Sequence, residues 1–230
     1  LKQALPNCVI NHDLMNAAEL IEAEIRSKLE KPGGEITAQD MAKLRSFALH
    51  NGKVTDISPL KGAINMDSLE IHVCTISDLT ALAGMKNLKK LYAWDNRISD
   101  LSPLAGLTNL RTLHLNENQI TDLSPLAGLK QLSQLLLRSN PKLTRAEIDK
   151  LKQALPNCVI YHDLMNTAEH IEAAIRGQLK KPGGEITQED MAKLRGFSIH
   201  VRGVTDISHL KSAINMDWLE IHDCTISDLT

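Results

Sequence analysis

The chain has 230 residues, 43% of them hydrophobic, so it is long enough to bury a sizeable core. Its net charge of -2 mixes 26 basic with 28 acidic residues, and no basic stripe of the kind nucleic acid requires is visible. No apolar run approaches the length of a membrane span.

Residues 1–80 return with few changes as residues 151–230, an offset of 150 over which about three quarters of the paired residues are identical. LKQALPNCVI opens both stretches and CTISDLT closes both. Such an offset predicts a window on a tandem array, cut out of phase with its own units. Residues Leu1 to Asp13 then read as the tail of a preceding unit.

A helix is expected next, over Ala17 to Glu30, with Ile21, Ile25 and Leu29 on one face at a spacing of four. Lys31-Pro32-Gly33-Gly34 stops it. Thr37 with Asp40 three residues later is a capping-box pattern that starts a second helix. Met41 and Leu44 point that helix at a first strand.

From Leu44 onward a finer period takes over. Leu44, Met66, Leu88, Leu110 and Leu132 are each 22 residues apart. Each opens a set of the type Leu88, Leu91, Ala93, Asn96, Ile98, Leu101, followed by Leu110, Leu113, Leu115, Asn118, Ile120, Leu123. The apolar triplet at 91–93 reads as a short strand with alternate side chains inward. The asparagine is placed to satisfy buried backbone groups of neighbouring turns. In Ser102-Pro103 and Ser124-Pro125, proline is expected to limit helix formation on the outer side. No turn can bury its own apolar face, so turns stack into a parallel sheet.

The pattern LxxLxLxxNxIxDLxPLAG resembles the leucine-rich repeat in its 22-residue form, as in the internalin-like surface proteins of bacteria. The resemblance implies an α/β solenoid: a parallel sheet on the concave face, with helical N- and C-terminal caps. The helical pair before Leu44 resembles the N-terminal cap of such proteins. The run TRAEIDKLKQALPNC resembles their C-terminal cap: Thr144 and Glu147 start a helix with Ile148, Leu151 and Leu155 on its apolar face. Pro156 ends that helix, and Cys158-Val159-Ile160 reads as a closing strand. The expected division is a cap remnant at 1–15, a complete capped unit at 16–161, and the cap and first two repeats of a following unit at 162–230. With so few residues after the closing strand, adjacent units are expected to abut.

No enzymatic motif is present. Gly33-Gly34 lacks the lysine and hydroxyl of a phosphate loop, and HExxH, GxSxG and dinucleotide fingerprints are missing. His12-Asp13 and its copy His162-Asp163 are placed in the turn between units with no nucleophile beside them. The four cysteines are two copies of two positions, Cys8 with Cys158 and Cys74 with Cys224, read as small buried hydrophobes. No CxxC spacing supports a metal site.

Between the inward leucines, the outward residues form columns. One reads His50, His72, Trp94, Asn116, Arg138; its neighbour reads Ala48, Glu70, Tyr92, His114, Leu136; a third reads Asn51, Val73, Asp95, Glu117, Ser139. Aromatics are scarce, yet Tyr92 and Trp94 share one strand and one face, and aromatic and arginine residues on a rigid surface are common binding anchors. The expected ligand face is therefore Tyr92, Trp94, His50, His72, Glu70, His114, Asn116 and Arg138. His50 and His72 read as two solvated histidines, with only Glu70 or His114 to guess at as a third ligand. No metal and no cofactor is expected.

The expected function is a non-enzymatic protein–protein interaction scaffold with a protein or glycan partner on the concave face. The family resemblance implies adhesion or recognition at a cell surface or outside the cell. The competing expectation is a structural tandem protein, associating head to tail through the cap remnant near Leu1 and an open sheet edge near Thr230.

Overall fold

The computed structural model describes residues 16–165, 167–200 and 207–222. The expectations for the cap remnant at 1–15, for Cys8 and Cys224, for His12-Asp13 and for the edge near Thr230 lie outside these residues.

Helix α1 (Ala17–Lys28) starts at Asn16, whose side chain accepts from the Glu19 amide while Glu19 reaches back to the Asn16 amide. Leu20, Ile21 and Ile25 form its buried face. The helix ends shorter than the sequence suggests, because Leu29 already serves as its C-cap and Glu30 turns left-handed at φ 51°. Helix α2 (Ala38–Met41) has the expected capping box between Thr37 and Asp40. Asp40 also takes the ammonium groups of Lys31 at 2.7 Å and Lys43 at 3.0 Å. These two cations and the Thr37 bonds hold its carboxyl well below the usual carboxylate range. Asp190, with Lys181, Lys193 and Thr187, repeats the device in the second copy.

Six strands follow: β1 (Ser46–Ala48), β2 (Ser68–Glu70), β3 (Lys90–Tyr92), β4 (Thr112–His114), β5 (Gln134–Leu136) and β6 (Val159–Tyr161). They form one parallel sheet in chain order. The register steps by 22 residues from β1 to β5, pairing Phe47, Leu69, Leu91, Leu113 and Leu135 in one inward row. It steps by 25 at the last pair, Leu135 to Ile160, because helix α3 (Arg145–Ala154) is inserted between the strands. The closing strand accordingly includes Tyr161 and not Cys158.

Short 3-10 turns at Ser58–Leu60, Thr80–Leu82, Ser102–Leu104 and Ser124–Leu126 form the opposite wall. Proline was expected to limit helix formation here, and the wall has only these three-residue turns; Pro103 and Pro125 sit within the first residues of theirs, where the missing N–H is not needed. The preceding aspartates fix each start: Asp100 Oδ1 accepts from the Ser102 amide and Oδ2 from its hydroxyl, both at 2.8 Å. Asp122 does the same for Ser124.

The turns are locked together by buried asparagines. Asn118 Oδ1 accepts from the Ile98 amide of the preceding turn at 2.9 Å. Its Nδ2 donates to Ala93 O of that turn at 2.9 Å, and to Leu115 O and Asn116 O of its own. Asn96 and Asn140 repeat the pattern on Ile76 and Ile71, and on Ile120 and Leu115. Cys74 holds the corresponding place in the earlier turn, where its thiol lies against the carbonyls of His72 and Leu49. Cys74 and Cys158 are free and buried, and burial pushes the Cys158 thiol up to about 12.

After the closing strand, helix α4 (Thr167–Leu179) packs against β6 on one side and against β7 (Gly196–His200) on the other. Helix α5 (Gln188–Met191) precedes β7, which pairs in parallel with β8 (Trp218–His222). Ile171, Ile175, Leu194 and Phe197 centre a second apolar cluster separate from the first. Arg145 of α3 grips both oxygens of Glu169 in α4, at 2.9 and 2.8 Å, and Lys152 reaches the same carboxylate. The Tyr161 hydroxyl donates to Ala173 O at 3.2 Å.

His162 differs from its expected place in an open turn. It follows Tyr161 in the inward slot that Leu137 fills on β5, is 1% exposed, and neither ring nitrogen has a hydrogen-bond partner. Burial first, then the nearby cations Lys152 and Arg145 and the His170 ring, lower its pKa to about 4 against an opposing pull from Glu169.

Two measurements test this construction. Asn118→Ala strips a buried amide and three carbonyls of their partner, and should cost about 2–4 kcal/mol in urea denaturation; a loss within error of zero would refute the asparagine lock. His162 binds a proton more readily unfolded than folded between its ordinary 6.5 and about 4. Its contribution is therefore complete above the upper value and is lost as pH falls through this window, by up to about 3 kcal/mol. His162→Leu should flatten that part of the stability–pH curve, and an unchanged slope would sink the assignment.

Candidate functional site

The strand register builds the concave face. Ala48, Glu70, Tyr92, His114 and Leu136 are directly paired across β1 to β5, as the second column requires. Tyr161 extends this row on β6. It was hidden from a search at fixed spacing by the 25-residue step; the signal available was the inward Ile160, after which Tyr161 continues the closing strand.

The first column becomes a stack of rings. His50 and His72 lie with centroids 3.7 Å apart and planes 22° from parallel. His72 and Trp94 follow at 4.1 Å and 14°. The stacking follows from parallel strands in register, which repeat side chains at roughly the 4.8 Å strand spacing. Tyr92 meets His114 edge-on at 4.8 Å. Further along the same column, Asn116 Oδ1 accepts from the Arg138 amide at 2.9 Å, while the Arg138 side chain stays exposed. Six of the expected residues thus fall into two touching groups, His50, Glu70, His72 and Trp94 in one, Tyr92 and His114 in the other, with Asn116 and Arg138 beyond them.

The electrostatics favour neutral rings. Burial lowers the His72 pKa, the His50 charge adds to this, and Glu70 opposes it. Burial likewise lowers that of His114. His50 Nε2 lies 3.9 Å from Glu70 Oε2.

The third column does different work from its neighbours. Val73, Asp95, Glu117 and Ser139 all adopt left-handed backbone, with φ between 54° and 56°. Each turns the chain inward to the residue that fills the asparagine slot. This is a conformation that aspartate and asparagine tolerate and a β-branched side chain resists.

The second copy presents a different face. Where Ser46 pairs with Ser68, Gly196 pairs with Trp218, and the Trp218 ring lies directly over Gly196 where a Cβ would clash. The indole is half exposed.

Among solved structures, the chain is similar to an internalin from Listeria monocytogenes at 22% identity, with 96% of this chain and 75% of that one covered and a TM-score of 0.59. Internalin C2 of the same organism matches at 22% identity over 94% of this chain and 91% of its own, with a TM-score of 0.44. A Leptospira interrogans leucine-rich repeat protein matches at 26% identity over 55% of this chain and 33% of that one, with a TM-score of 0.49. The family model for leucine-rich repeats in two copies matches residues 86–128 and again 108–157. No curated protein matches the sequence. The chain therefore carries leucine-rich repeats on an internalin-like α/β solenoid with helical caps. Solenoids of this kind use their concave surfaces for binding, which supports a protein–protein interaction module. No helix among the described residues is long and apolar enough to cross a membrane.

Val73 is 41% exposed, so replacing it loses little burial. Val73→Asn should stabilise the chain by about 0.5–1 kcal/mol in urea denaturation through relief of the left-handed strain; destabilisation would show that the strain has been misjudged.

Proposed function

We propose that this leucine-rich repeat chain is a non-enzymatic recognition scaffold of the bacterial surface type, docking a protein on its concave face. The observation that carries the reading is the placing of Tyr92 at the end of β3 and Trp94 two residues beyond it, held by their neighbours' rings and flanked by His114, Asn116 and Arg138. Side chains already ordered by stacking lose little freedom on binding, and such preorganised aromatic and arginine groups make effective anchors. A protein is favoured over a glycan because His72 already covers one face of Trp94, leaving less of the indole for a sugar ring. A location outside the cell or on its surface belongs to the same reading.

A second reading, a tandem rod, rests on a different observation. Helix α4 lies against the closing strand β6, fastened by Arg145, Lys152 and Glu169 and by Tyr161. Consecutive units joined in this way favour a stiff array. Association of separate chains head to tail is the extension of that contact.

Crosslinking of the full chain to intact cell surfaces, compared with a Tyr92→Ala/Trp94→Ala variant of confirmed fold, tests the first reading. The variant should lose at least about tenfold in apparent affinity for any protein captured. Equal capture by both would end the concave-face proposal, and capture abolished by glycosidase treatment would reassign the ligand to a glycan. Light scattering across a wide concentration range tests chain association; a strict monomer throughout would count against it.

A further inference from the structure

Outside the proposed docking anchors, His50, Glu70 and His72 form a cluster with chemistry of its own. One ligand atom from each lies within 4.8 Å of the others. Two imidazoles and a carboxylate are the donor set that zinc and its neighbours in the first transition row select. The sheet register supplies the third ligand that spacing alone left open: it is Glu70, at the end of β2 two residues before His72, and not His114, which is engaged with Tyr92 two strands away.

The geometry suits a cation. The stacked rings place their edges side by side, 3.7 Å between centroids. A tetrahedral site with bonds of about 2.0–2.1 Å needs ligand atoms about 3.3 Å apart. Small side-chain rotations of exposed His50 and half-buried His72 and Glu70 cover that difference. No protein group competes for one of these nitrogens, since His72 Nδ1 has no hydrogen-bond partner.

The internal duplication provides an independent observation. The same residues recur as His200, Glu220 and His222. Around them the sequence changes: Ser46 to Gly196, Ala48 to Ser198, Asn51 to Val201, Gly52 to Arg202, Lys53 to Gly203, Ser68 to Trp218 and Val73 to Asp223. Of the exposed positions on the first strand and its following turn, only the histidine returns. None of the three has a core role that would explain this. In the second sheet, His200 pairs with His222 and Ser198 with Glu220, the register that the first sheet shows one repeat unit earlier. His222 Nε2 lies 4.0 Å from Glu220 Oε2.

We propose that His50, Glu70 and His72 form an open binding site for a zinc-class divalent cation on the concave face; the sequence repeats the same three residue types at 200, 220 and 222. The protein supplies three ligands and leaves the remaining position facing solvent. The site stands whether or not Tyr92 and Trp94 dock a protein.

Calorimetric titration of the full chain with zinc chloride at neutral pH, from metal-free buffer, reads the stoichiometry. One equivalent per copy of the triad is expected. His72→Ala should remove one equivalent, His222→Ala the other, and the double variant both. His50→Ala, at an exposed position, gives the same loss for the first site without disturbing buried structure, and should weaken it by at least about 100-fold. Copper(II) added to a Trp218→Phe chain should quench Trp94 through the adjacent His72, and His50→Ala should abolish the saturable quenching. Absence of saturable zinc binding, or binding whose stoichiometry and affinity survive His50→Ala and His72→Ala, overturns the proposal. Loss of zinc binding in these variants with protein capture intact would separate this site from the docking face.

Discussion

Each turn of the solenoid is held to the turn before it by a buried asparagine that answers backbone groups on both sides. Asn118 is typical: its oxygen takes the amide of Ile98 and its nitrogen the carbonyl of Ala93, both in the preceding turn. Left alone, those groups would be buried polar atoms without partners, at a cost comparable to a good fraction of a domain's stability. The leucines provide the drive to stack, but they are indifferent to register. The amide, with one acceptor and two donors in fixed geometry, accepts only one axial relation between turns.

Much else follows from that fixed step. Strands in exact register repeat outward side chains one strand spacing apart, so columns in the sequence become rows of touching side chains. His50, His72 and Trp94 stack for this reason, and Glu70 is brought beside both histidines. Getting the chain from strand to asparagine slot requires a left-handed residue each time, and Val73, Asp95, Glu117 and Ser139 carry that strain. The third column is thus backbone geometry before it is surface, which separates it from the two columns that face a ligand.

The ends of the stack obey the same accounting. At β6 the helix α3 displaces the register, the asparagine pattern stops, and α4 of the next copy covers the last strand. The polar groups that close this junction are ionic, Arg145 and Lys152 on Glu169, with one neutral ring, His162, sealed in the inward row. Joining units therefore uses interactions that respond to pH, whereas the repeats themselves are held by neutral amides that do not.

The period of 22, the inward leucines, the asparagine slot, the Thr37–Asp40 capping box and the membership of the outward columns were legible in the chain, because each is a local rule at fixed spacing; Thr144 caps its helix one-sidedly, and the capping box at Asn16 and Glu19 was not read. Repetition averages out the ambiguity of any one turn. The places where reading failed are those where the period breaks or where chemistry depends on distance in space. Pro103 was expected only to limit helix formation, and nothing in its spacing showed that its fixed φ seats it as the second residue of a 3-10 turn. His162 was taken for a loop residue, because a polar side chain after a strand gives no sign that β6 places it inward. Tyr161 was missed because an inserted helix shifts the last register by three residues. The triad of His50, Glu70 and His72 was weighed and set aside, since spacing could not choose between Glu70 and His114 as its third member. By itself the sequence determined a stack of identical turns, their inward and outward faces, and their duplication. Only the tertiary structure decided which outward side chains touch, which ring is buried at the junction and which acid joins the two histidines, because these depend on register between strands and on packing against α4, neither of which is encoded by any single repeat.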